Sequence, residues 1–79
     1  MKTVPQIMTI IEKVTKTDLN NHKLVSIDEG ESVTTLIFAL QRGTMFRKYV
    51  FYHSTSKFDT DIIFDHEVYD MYKHLKARE

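Results

Sequence analysis

Between Ser32 and His53, apolar residues occupy both alternating positions of two extended runs that flank Arg42-Gly43. A two-residue turn at Arg42-Gly43 joins the runs as a hairpin, pairing Leu40 with Met45, Phe38 with Arg47 and Leu36 with Tyr49. That register puts Leu36, Phe38, Leu40, Met45, Tyr49 and Phe51 on one side. Val33, Thr35, Ile37, Ala39, Phe46, Val50 and Tyr52 fall on the other. A sheet with one wet face alternates apolar and polar side chains, and this hairpin hardly does. Both faces therefore need a cover, supplied by this chain or by another molecule.

The flanking segments offer two covers. Residues 4 to 15 predict a helix, with Thr3 as N-cap and Pro5 in the first turn. Val4, Ile7, Met8, Ile11 and Val14 form its apolar stripe, broadened by Ile10. The polar run from Lys16 to Asn21 predicts a turn. His22 to Asp28 predicts a first strand, and Glu29-Gly30 a reversal in which Gly30 supplies a positive φ. The small polar run from His53 to Ser56 is a second turn, and Phe58 to Phe64 a candidate fourth strand. Asp65 then caps a helix whose stripe is Val68, Met71, Tyr72 and Leu75, with Tyr69 off its centre. Lys73, His74, Lys76 and Arg78, in its last turns, suit the helix dipole.

The result is a small single α+β domain spanning 1–79: an N-terminal helix, a three- or four-stranded antiparallel meander and a C-terminal helix. Two arrangements fit. Both helices on the Leu36/Phe38/Leu40 side would leave the second face partly open, and the pattern leans this way. One helix on each face would leave little over. The element order is similar to that of double-stranded RNA-binding domains. Their second helix starts lysine-rich, whereas this one starts Asp65-His66-Glu67, so the resemblance stops at topology and implies no function.

Composition narrows the classes. The 79 residues suffice for one core and bury only about 60% of the unfolded surface, so stability is modest. Cysteine is absent, which removes disulfides and thiolate metal sites and fits a reducing compartment. The N-terminal apolar stretch is too short and too polar for a membrane span or a cleaved signal. A cytoplasmic protein with no membrane partner is expected. The start at Met1 and the absence of linkers suit a whole small gene product, of the kind a phage or mobile element carries as an accessory gene.

Formal net charge is zero, which disfavours a general nucleic-acid coat. Charge is nonetheless segregated: Arg42, Arg47, Lys48 and Lys57 precede Asp59, Asp61, Asp65, Glu67 and Asp70. Pairing within the fold is the simplest use of that pattern.

No motif for an enzyme, a cofactor or a metal emerges. His53, Asp59, Asp61, Asp65 and His66 match no ligand spacing, and an acidic strand edge beside a helix start serves more simply as cap and solubiliser. The run His53-Ser54-Thr55-Ser56-Lys57 lacks an orienting third group and an oxyanion hole, and a serine-rich turn explains it.

The expectation is a non-enzymatic interaction protein that dimerises or binds a protein partner through Val33, Ile37, Phe46, Lys48, Val50 and Tyr52. Charged residues at Phe46 and Val50 should then abolish association and leave the fold intact. The alternative is nucleic-acid binding by Arg42, Arg47, Lys48 and Lys57, interleaved with aromatic rings that can stack on bases.

Overall fold

Thr3 starts the first helix, α1 (Val4–Thr15), with a reciprocal cap: its hydroxyl accepts from the Gln6 N–H at 3.4 Å, and Gln6 Oε1 accepts from the Thr3 N–H at 2.9 Å. The computed structural model describes residues 1–40 and 45–77. After α1 come a single-turn helix (Leu19–Asn21), strands β1 (Lys23–Glu29), β2 (Val33–Ala39), β3 (Phe46–Tyr52) and β4 (Lys57–Ile63), and helix α2 (His66–Ala77). The strands form one antiparallel meander in sequence order, so the candidate fourth strand is a real one.

The hairpin register is the predicted one, with Phe38 opposite Arg47 and Leu36 opposite Tyr49. Arg42 and Gly43 lie outside the described residues. Leu40 donates its N–H to the Met45 carbonyl at 3.3 Å on the way to them.

One helix covers each face, which overturns the arrangement favoured by the sequence. Ile7 and Ile11 of α1 are fully buried against Leu36, Phe38, Tyr49 and Phe51. Phe38, Tyr49 and Phe58 pack edge to face at 5.8 and 5.9 Å across neighbouring strands. Val14 shares the helical angle of Ile7 but is exposed, because the packed stripe ends at Ile11.

On the other face, Asp65 Oδ1 accepts from the Val68 N–H at 3.1 Å and caps α2. Val68 packs on Val25, Ile37, Ala39 and Phe46, with Ile63, Tyr69 and Tyr72 at the margin. Tyr72 stands edge-on to Phe46 at 5.9 Å, and the Lys23 ammonium lies 5.8 Å from the Tyr72 ring centre. The predicted stripe is corrected here: Met71 is exposed and Tyr69 takes part in the packing. The side chains of His74, Leu75 and Lys76, and Arg78 altogether, lie outside the described residues.

A bulge in β1 lets that strand serve both layers. Leu24 pairs with Phe38 and Ser26 with Ile37, leaving Val25 unpaired between them. Val25 joins the α2 cluster, while Leu24 packs with the α1 cluster.

Gly30 is required for a reason other than the expected positive φ. Its N–H donates to the Val33 carbonyl at 2.9 Å, and a Cβ there would sit 2.8 Å from that oxygen. Gly30→Ala must push the β1–β2 turn apart. It should lower stability by about 1–3 kcal/mol, read from the denaturant midpoint at unchanged slope.

Candidate functional site

The register lays out the α2 face as rows across the sheet. Ala39, Phe46 and Ile63 lie beneath α2; then come Ser26–Ile37–Lys48–Asp61, Asp28–Thr35–Val50–Asp59, and Val33–Tyr52–Lys57. The described side chains of α2 pack over the first two rows and not over the last two. Of the residues expected to form an interface, Ile37 and Phe46 are therefore core: Phe46 retains 1% of its surface and Ile37 8%. Val33, Lys48 and Val50 are half-buried and Tyr52 is exposed. These four share the open half of the face.

Two features organise that half. The Tyr52 hydroxyl donates to Asp59 Oδ2 at 2.8 Å. This hydrogen bond, followed by the carboxylate's charge, raises the Tyr52 pKa above its ordinary value. Lys48 lies opposite Asp61 on the neighbouring strand, where opposite charges stabilise a sheet. Asp61 also closes the free edge of β4, its Oδ1 accepting from the Ile62 N–H at 2.9 Å.

The basic residues are not brought together. Lys48 and Lys57 lie on the α2 face, Arg47 on the α1 face, and Arg42 lies outside the described residues. The candidate metal and acid–base set is dispersed as well. His53 Nε2 lies 2.7 Å from the Thr34 hydroxyl and its ring is edge-on to Phe51, while its buried Nδ1 has no hydrogen-bond partner among the described residues. Among the described residues, no three His, Cys, Asp or Glu side chains converge on a metal position. Among the same residues, no helix is long and apolar enough to cross a membrane.

The α1 face carries a hollow with no counterpart in the sequence pattern. It lies past the C-terminal end of α1 and encloses about 290 Å³. Leu19, Phe38 and Leu40 line it with apolar surface, and Arg47, Tyr49 and Thr60 bring polar groups to it. Its residues come from the end of α1, the following turn and three strands, so no local motif could announce it.

Tyr49 is 5% exposed, and burial raises its pKa, opposed in part by the nearby Arg47 charge. A phenol held above its unfolded pKa stabilises the fold fully below that pKa and loses its contribution as pH rises toward the folded value. Stability should therefore fall once pH climbs past about 10. Denaturant midpoints collected up to about pH 11 should decline in wild type and decline less in Tyr49→Phe.

Comparison with protein-family models, curated protein sequences and solved structures finds no match to this chain.

Proposed function

We propose that this protein is a non-catalytic interaction module that pairs with a second copy of itself through the open half of the α2 face. The observation that carries this reading is where α2 ends: Val33, Thr35, Val50 and Tyr52 continue the sheet surface beyond its cover. The surface around them holds both signs of charge, Lys48 and Lys57 with Asp28, Asp59 and Asp61. A partner of one strong sign would meet repulsion there, whereas a second copy meets its complement.

A copy turned end over end, about an axis lying across the strands at Val50, brings its Lys57 level with Asp61. The same turn sets Lys48 against the other copy's Tyr52 ring. Val50 then packs on Val50. Strand and residue spacings give the two open rows a footprint of about 250 Å². That is about a third of what each partner contributes to a standard stable interface. The two Asp59 carboxylates and the two Asp28 carboxylates share the axis row, so each faces its own counterpart in the other copy and offsets part of the gain. Pairing is therefore weak and concentration-dependent.

Light scattering on a sizing column tests this. The mass should rise from 9.4 kDa toward twice that value as concentration increases through the micromolar range. Val50→Lys should hold it at 9.4 kDa with circular dichroism unchanged. A wild-type mass that never rises, or one that rises equally in Val50→Lys, rules the reading out.

A further inference from the structure

The geometry points to the hollow beside the end of α1 as a binding site for a small organic carboxylate carrying an apolar body. Arg47 is the first reason. It stands half-buried on the α1 face, and its one hydrogen bond among the described residues is a long one, from Nη1 to the Thr60 hydroxyl at 3.4 Å. A guanidinium has five N–H donors, and those of Arg47 not turned to Thr60 are open to a ligand or to water at the mouth of the hollow. No Asp or Glu lines the hollow. Among the described residues Arg47 is therefore the one charged side chain that lines the recess, with the Glu12 carboxylate held nearby by the Leu19 N–H at 3.2 Å.

Further donors stand close to Arg47. Tyr49 and Thr60, opposite each other on β3 and β4, both line the hollow, and the Tyr49 hydroxyl has no hydrogen-bond partner among the described residues. A planar carboxylate matches the fork of a guanidinium with paired N–H···O bonds. The Tyr49 hydroxyl supplies a further O–H donor beside it.

The remaining walls select the body of the ligand. Phe38 lines the hollow from β2, Leu40 from just past the end of that strand, and Leu19 from the turn after α1. The His22 ring stands edge-on to Phe38 at 6.5 Å, fixed by Nδ1 donating to the Asp18 carbonyl at 3.1 Å. This wall suits one aromatic ring or a branched alkyl group. A volume near 290 Å³ admits a body of that size. The open side of the recess limits burial, so affinity falls in the millimolar range. The site is on the opposite face from the proposed self-pairing surface and does not depend on it.

The test follows amide ¹H–¹⁵N shifts of the whole chain during titration with benzoate, with benzamide as the neutral isostere and acetate as the anion without a body. Benzoate should move the amides of Leu19, Phe38, Arg47 and Tyr49 and bind about tenfold or more tighter than either control. Arg47→Gln should weaken benzoate about tenfold and leave benzamide unchanged. Equal binding of benzoate and benzamide, shifts centred elsewhere, or no shifts at all would overturn the assignment. Full benzoate affinity in Arg47→Gln would do so too. Should Arg47→Gln fail to fold, the comparison of the three probes on wild type decides by itself.

Discussion

Phe46→Asp is expected to leave the chain unfolded in buffer at room temperature, with the helical and sheet signals lost together in far-UV circular dichroism. Phe46 lies between Ala39 and Ile63 in the sheet and beneath Val68 and Tyr72 of α2, with 1% of its surface exposed. Truncating such a ring costs about 3–5 kcal/mol before any charge is considered. The aspartate must then be desolvated without a partner or protonated at neutral pH, which adds several kcal/mol more. A chain of 79 residues has about 4–12 kcal/mol of total stability to lose. Val50→Lys, on the same strand and face, should stay folded, because Val50 is half-buried and lies opposite Asp59. A folded Phe46→Asp protein would mean that α2 does not sit on this face in solution.

Phe51→Ala should cost about 3–5 kcal/mol, the largest loss expected from a truncation that introduces no charge. Phe51 is 0% exposed, packs with Ile7, Ile11 and Leu36, and lies opposite Phe58. It also stands edge-on to His53 at 5.4 Å. Its removal opens a cavity at the α1 interface and loosens the ring that shields the orphaned His53 nitrogen. For a domain of this size the thermal midpoint should fall by at least about 12 °C. A fall of a few degrees would show that α1 can settle into the space, and the rigid packing described above would be wrong.

Much of this fold was legible in the chain. Thr3, Pro5 and Gln6 begin a helix for local reasons, and Ile7 and Ile11 fall one turn apart on its buried side. The hairpin register follows from strict alternation on both strands, and the paired residues are the expected ones. The face taken by α2 was not legible. Val33, Thr35, Ile37 and Ala39 read as equally apolar whether a helix or another molecule lies over them, so alternation cannot separate Ile37 from Val33. The β1 bulge was hidden too. It places Leu24 and Ile27 on one side of the sheet at a spacing of three, which breaks the strand alternation and imitates a helical spacing. Gly30 was recognised as a turn residue, but the reason lies in a carbonyl three residues away. The open half-face kept four of its expected members. The hollow around Arg47 was invisible because hydroxyls at Thr15, Thr17 and Thr60 form no pattern along the chain.

The bulge at Val25 and the carboxylate of Asp61 have a joint consequence for how far assembly can go. They sit on the outermost strands, where a bare ladder of N–H and C=O groups would otherwise template the next strand and grow into a fibril. The kink bends one edge strand, and the aspartate occupies a donor on the other while placing charge beside it. Each outer strand is thereby a poorer template for the next, which disfavours growth by edge-to-edge strand addition.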